Sequence, residues 1–424
     1  MSVTQLEASV GGMRARIEAQ ALAVARVAFV GAMAALPIST AATNFALAIG
    51  LIAWCFSGRV PQALRLVRTE PVAAVAVGLF ALLCLSALWS PAPAAEQWNA
   101  LGKFRKLLYI PVVASLFDDA VWRKRVLIAG FVVGVLTLVL SLGSAATGYQ
   151  FPVAREYPVA GAPLNATVFK QHITQGWMMS LFAFGCLTGA VFVRDRRWRI
   201  ALYALGALAI IDNLAFVQAR TGHLTTAALL VLWCLLRFGR KGIALAALLL
   251  ALGAGLMAIS GGAFVTRVEN TLSEVEQVQA GSTQATSVSH RLAFYRNGWL
   301  LAQAAPWTGH GLGSMATVYK PLTVGKTGVE AEVAGNPHNE YLNLALQAGV
   351  GATVLFVALL LLLWRTAARA AAHERWLGIA LPLALAVSSL ANSSLWDFNE
   401  GSLFALLAGW TLAAAHSARN ALPA

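Results

Sequence analysis

Charge is what this sequence has least of. Asp, Glu, Lys and Arg make up 12% of its 424 residues, too little to cover the surface of a soluble protein of that length. Motif absences narrow the chemistry further. There is no Walker A sequence for a nucleotide phosphate and no His/Cys/Asp/Glu cluster at metal-ligand spacing, so no cofactor and no metal is expected. The one acidic doublet, Asp118-Asp119, falls in a basic linker. Cys55, Cys84, Cys186 and Cys234 all lie inside apolar runs, which argues against a disulfide framework and for small core residues. Acidic residues number 18 against 31 basic ones, but the basic ones are dispersed between apolar runs. That pattern reads as membrane topology, and no nucleic acid is expected as a partner.

What the sequence has in abundance is apolar length. Hydrophobic residues are 58% of the chain and mean hydropathy is +0.69. The runs show no period-2 alternation, so helices are expected and a barrel is not. At about twenty apolar residues per span, about twelve segments qualify. They lie near 20–37, 39–57, 71–89, 105–117, 126–147, 173–193, 200–219, 222–238, 243–260, 344–364, 376–393 and 401–416. The fourth is short and opens on charge. The first is read as a retained helix, since no small-residue cleavage site follows a short apolar core. The expected fold is an all-α polytopic membrane protein in three parts: helices with short outer segments over 1–260, a large outer loop containing helices over 261–343, and final spans over 344–424.

Every second linker is basic, which assigns those linkers and both termini to the cytoplasm. Lys103, Arg105, Lys106, Arg155, Lys170, Arg220, Arg267, Arg291, Arg296, Lys320 and Lys326 then fall on the outer side or its membrane edge. Cations retained against the topological bias often meet phosphate. The bland reading is a solvated loop face, or pairing with Glu269, Glu274, Glu276, Glu330 or Glu332. Within the loop, 266–279 reads as charged and weakly helical and 280–289 as mobile. From Ser289, a serine-capped amphipathic helix carries Arg291 and Arg296 on different faces. A glycine-rich turn, Gly309-His310-Gly311-Leu312-Gly313, follows.

Asn336-Pro337-His338-Asn339-Glu340-Tyr341 closes this polar excursion. Asn336 suits an N-cap and Pro337 the first helical position, which puts His338 in a first turn where the dipole disfavours imidazolium. A neutral imidazole there could act as a general base, or merely cap or pack. Arg220, in Gln218-Ala219-Arg220-Thr221-Gly222, has no room for a loop and must sit at the membrane boundary. It could fork onto a phosphate or snorkel to headgroups. Arg291 is favoured over Arg296 because it is nearer its helix start, where free N–H groups attract anions. Lys103, Arg105 and Lys106 enter the fourth segment against its dipole, which favours anion contact. A transporter would place ionisable groups near the midplane, and only Arg26 and Asp212 look embedded.

Arg220-Thr221-Gly222 after the seventh span, His290-Arg291-Leu292, the glycine turn and His338-Asn339 together resemble the bacterial O-antigen ligase family, which also embraces O-antigen polymerases and protein O-oligosaccharyltransferases. The resemblance implies a GT-C-type glycosyltransferase of the bacterial inner membrane with its site facing the periplasm. Its implied donor is undecaprenyl-diphosphate-linked O-antigen and its implied acceptor a sugar hydroxyl of lipid A–core oligosaccharide, among membrane lipids. It implies His338 as general base, with Arg220 and Arg291 on the diphosphate. Lys103, Arg105, Arg155, Asn339 and Tyr341 are expected as substrate contacts.

Overall fold

In hydrocarbon, every backbone N–H and C=O must be satisfied within its own segment, and a helix does this for a single apolar run. The computed structural model describes residues 3–156, 165–217, 219–259 and 287–420 and is helical, without strands, among them. The first half runs α1 (Val3–Ala35), α2 (Thr40–Cys55), α3 (Val60–Thr69), α4 (Pro71–Ser86), α5 (Ala94–Phe104), α6 (Tyr109–Leu116), α7 (Ala120–Thr147), α8 (Pro152–Glu156), α9 (His172–Phe192), α10 (Arg196–Ile211), α11 (Arg220–Phe238) and α12 (Gly242–Ile259). Then come α13 (Ser287–Ala304), α14 (Met315–Tyr319), α15 (Glu340–Ala367), α16 (Ala372–Ser388) and α17 (Phe398–Asn420). The segments 266–279 and, for its greater part, 280–289 lie outside the described residues. Because α13 already runs from Ser287, Ser289 sits inside that helix and is not its cap.

Among the described residues, seven helices are long and apolar enough to cross a membrane, or eight if α2 and α3, bent by 95°, count as one. The sequence reading counts about twelve apolar segments, more than the helices that meet this length and composition test. Hydropathy cannot tell apolar surface that faces lipid from apolar surface that faces protein. The expected fourth span shows this. It becomes a 3-10 turn, Arg105–Leu108, followed by α6, whose eight residues are all buried. The turn also changes the reading of its cations. Lys103 lies in the last turn of α5, where a positive charge suits the dipole.

The core centres on α17, 78% of whose apolar window is buried against 22% for α1. Trp177 of α9 and Trp410 of α17 are nearly inaccessible. Beside them α9 and α11 meet at glycine: a Cβ on Gly222 would come within 2.9 Å of Gly176 Cα. Asn213, in the π-turn Asp212–Val217 that ends α10, ties this contact by donating to Gly176 O at 3.1 Å and Thr226 Oγ1 at 2.8 Å.

One long helix is broken on purpose. α15 leaves helical geometry at Ala348 (φ −141°) and Gly349 (φ 77°), which orphans carbonyls one turn earlier. The glycine turn answers them: His310 N donates to Leu346 O at 2.7 Å and Gly311 N to Gln347 O at 3.0 Å. Gly311 has φ 94°, and a Cβ there would lie 2.4 Å from Ser90 Cα. The glycines of this turn thus serve a backbone-to-backbone joint between the loop, α15 and the segment before α5.

Candidate functional site

The helix that was expected to begin at Pro337 begins at Glu340. Asn339 is its N-cap, with Oδ1 accepting from Leu342 N at 3.0 Å. His338 therefore stands just outside the helix, at φ 53°, the one non-glycine residue with positive φ among the described residues. Asn336, which the proline after it biases away from helical backbone, bends the chain. Its Oδ1 accepts from His338 N at 2.8 Å and from the Ser393 hydroxyl. The Tyr295 hydroxyl lies 3.0 Å from both His338 O and Leu390 O and shares its one proton between them. A left-handed residue with a Cβ costs about 1–2 kcal/mol, and these bonds hold it there.

The imidazole is half-buried and stacks on Phe294 of α13, with ring centroids 6.1 Å apart at 17°. Burial first, then the charge of Arg291, holds its pKa below the ordinary 6.5, while Asp397 and the Asn392 side chain pull the other way. The direction expected from sequence arises here from a different cause: desolvation and a neighbouring cation, not a helix dipole.

Two guanidiniums complete the cluster. Arg291 lies on α13, and Arg220, the first residue of α11, is near enough to act on it. Burial and Arg220 both lower the Arg291 pKa, with Tyr295 opposing. Neither arginine has a hydrogen bond or ion pair among the described residues. Their neighbours differ. Arg296 pairs with Glu330 at 3.3 Å, Lys326 with Glu330 at 3.2 Å and His290 with Glu332 at 2.9 Å.

The residues that sequence reasoning missed come from the connection 389–397 between α16 and α17. Asn392 Nδ2 donates to Asp397 Oδ2 at 2.9 Å. Burial raises the Asp397 pKa, against the charges of Lys106, His338 and Lys103. The connection is clamped from two sides. Buried Glu340 accepts from Leu395 N at 2.8 Å and Trp396 N at 2.9 Å, and buried Lys106 donates to Trp396 O at 3.3 Å and to Asp397 O. Asp397 follows a hydrophobic run and precedes another with no motif around it. The only signal was an acid in a linker between two apolar runs with no basic residue next to it in sequence.

The remaining expected contacts divide. Lys103 lies 4.3 Å from the Trp396 ring centroid and close enough to Asp397 to feel its charge, so it borders the cluster. Arg105 makes a long 3.4 Å bond to Asn44. Arg155 donates to Gln150 O at 3.0 Å and covers the Tyr149 ring. Among the described residues neither bonds to the His338 cluster. Asn339 engages both polar atoms in structure, Nδ2 reaching Leu390 O at 3.1 Å. The Tyr341 hydroxyl donates to Ala386 O at 3.0 Å.

An imidazole beside Arg291, itself close to Arg220, can take a proton while an anion forms next to the two guanidiniums. Residues 205–357 match the family model described as O-antigen ligase. The matched stretch contains Arg220, Arg291 and His338 and excludes Lys103, Asn392 and Asp397. No curated protein matches the chain.

Proposed function

We propose, with the O-antigen ligase match over 205–357 as premise, that this chain transfers O-antigen glycan from an undecaprenyl-diphosphate carrier to a sugar hydroxyl of lipid A–core oligosaccharide at the periplasmic face of the inner membrane. The observation that carries the reading is a pair of uncompensated arginines, Arg220 and Arg291, the second of which acts on His338. An isolated cation pair in a half-buried site is unfavourable until an anion joins it, and a diphosphate supplies two phosphate groups at once.

In the proposed step, a free imidazole nitrogen of His338 removes the acceptor hydroxyl proton. The oxygen's electron pair forms the new bond to the anomeric carbon, and the carbon–oxygen bond to the diphosphate breaks with its pair going to the phosphate oxygen. Charge grows on that oxygen, where Arg220 and Arg291 would stabilise it most in the transition state. A single displacement inverts the anomeric centre. Asp397, held by Asn392, would stabilise the imidazolium that forms and so position the base. Lys103 suits a phosphate or acidic group on either substrate. The two arginines provide the charge neutralisation that a metal provides elsewhere, so transfer is expected in EDTA.

The family region supports ligase and polymerase chemistry alike, because both use this donor. The deciding experiment offers the purified protein carrier-linked O-antigen together with either lipid A–core or a second carrier-linked glycan. Extension of lipid A–core supports the ligase. Extension of the carrier-linked glycan alone replaces it with the polymerase.

A further inference from the structure

A histidine acts as a base through one bare ring nitrogen, and the partner of the other nitrogen decides which one is bare. For His338 that partner comes from the connection 389–397, which is stitched to the turn 336–340 on both sides of Asn392. Glu340 N donates to Ser389 O at 3.0 Å. The Tyr295 hydroxyl and Asn339 Nδ2 lie 3.0 and 3.1 Å from Leu390 O, and the Ser393 hydroxyl donates to Asn336 Oδ1. Between these stitches the Asn392 side chain hydrogen-bonds the imidazole.

Asn392 is buried, so both ends of its amide need partners. Nδ2 donates to Asp397 Oδ2 at 2.9 Å. An ionised carboxylate can only accept, which turns the NH2 group toward Asp397 and leaves the carbonyl for the ring. A carbonyl also only accepts, so the ring nitrogen that meets it must carry the hydrogen. Such a bond favours the imidazolium, and that is the sense in which Asn392 acts on His338. The charge of Asp397 is opposed by burial and favoured by Lys106, His338 and Lys103, while Glu340 and Glu400 are the acids that face it. Lys106 can approach because Gly401 lacks a Cβ, which would lie 2.6 Å from Nζ. On the α13 side the ring faces Arg291 and His290, with Arg220 acting on Arg291.

We propose that Asn392 is a positioning residue for the base: held by Asp397, its carbonyl accepts the hydrogen of one His338 nitrogen and leaves the other bare for the acceptor hydroxyl. This assignment rests on the transfer reaction proposed above. When the bare nitrogen takes the hydroxyl proton, the first hydrogen stays on its own nitrogen and no proton crosses the amide. The imidazolium then lies against the carbonyl dipole of Asn392, with the charge of Asp397 behind it.

The test exchanges the two side chains. In the double variant Asn392→Asp/Asp397→Asn the ring N–H still meets an oxygen and a carboxylate still receives an amide NH2, but the negative charge now touches the imidazole. The His338 ring is titrated by NMR in the full chain, with isotope-labelled histidine and His338→Gln to assign its signal, alongside transfer assays. Asn392→Ala should move the His338 titration to lower pH and reduce kcat by about 10–10²-fold, part of a general base's usual contribution, with the KM for carrier-linked donor unchanged. The exchange should move the titration above that of wild type and recover most of kcat at pH values above it. A titration that stays in place in the exchanged protein, or a loss in Asn392→Ala confined to KM, would overturn the assignment. Both exchanged side chains keep their shape, so the double variant decides alone should Asn392→Ala fail to fold. The titration needs no substrate: both shifts in a protein that transfers no glycan would sink the transferase reading and leave the bond from His338 to Asn392 standing.

Discussion

Arg123 is buried and Arg291 half-buried, at opposite ends of the bundle, and their surroundings could hardly differ more. Arg123 Nε meets Glu374 at 2.8 Å, and Nη1 reaches Phe117 O, Asp118 O and Ser417 Oγ. Nearby, Arg26 and Arg59 share Asp118 at 2.7 and 2.6 Å, and buried Glu70 draws in Arg419 at 2.6 Å. Around His338 the carboxylates are present but turned to other tasks. Glu340 and Asp397 bind backbone amides and an amide side chain, and Glu400 accepts from Thr174 Oγ1 at 2.7 Å. A buried arginine matched by a carboxylate is finished structure. One left unmatched, with acids close by, is a site whose counter-charge arrives from outside.

The largest expected effects come from exchanging the outcomes of these two kinds of arginine. His338→Ala should reduce kcat by roughly 10²–10⁴-fold, the usual range for loss of a general base, with carrier diphosphate still bound. Arg220→Ala and Arg291→Ala should each cost about 10²–10³ in transfer and leave the melting temperature unchanged or higher. Arg123→Ala should do the reverse. Breaking a buried pair costs about 3–5 kcal/mol, so this variant should lose thermal stability, while any surviving folded fraction keeps its turnover per molecule. Transfer assays paired with thermal unfolding of each variant make the comparison. Stable, inactive Arg123→Ala or unstable, normally active Arg291→Ala would erase the distinction.

A second test separates what His338 does from where it sits. Its left-handed backbone suits glycine better than alanine, by about 1–2 kcal/mol. His338→Gly should therefore be as inactive as His338→Ala yet more stable. Equal stabilities would mean that the Asn336 turn and Tyr295 do not hold the backbone at φ 53° in solution.

How much of this was legible beforehand depended on whether a signal was local. Helical class and apolar length followed from composition, because hydrocarbon tolerates so few backbone solutions. Which apolar segments face lipid did not follow, since α6 is apolar while buried in protein. Arg220, Arg291 and His338 stood out because cations at an outer membrane edge and a His after Asn-Pro are visible in short windows. The helix start was misread by three residues: Asn336 and Asn339 are both good caps, and the choice was made by Ser393 and Tyr295, far away in sequence. Asp397 and Asn392 were invisible for the same reason. They approach His338 only because Glu340 and Lys106 clamp a connection that carries no motif of its own.

The finest test concerns the sign of two small shifts. His338 acts only when neutral, so kcat/KM should rise with pH through the pKa of the free enzyme, which burial and Arg291 hold below 6.5. Removing Arg291's charge, as in Arg291→Met, deletes a contribution that lowers this pKa, so the acidic limb should move to higher pH. Asp397→Asn deletes one that raises it, and the limb should move to lower pH. Arg291→Lys keeps the charge and should keep the limb in place, whatever it does to donor affinity. Wild type offers an internal control. A bound diphosphate cancels the field of Arg291, so the limb in kcat, which reports the donor complex, should lie at higher pH than the limb in kcat/KM. Limbs that coincide, or that move the same way in Arg291→Met and Asp397→Asn, would mean that neither group acts on the imidazole through its charge. The unmatched arginine would then be a binding residue alone, and the contrast with Arg123 would rest on affinity and not on the chemistry of the base.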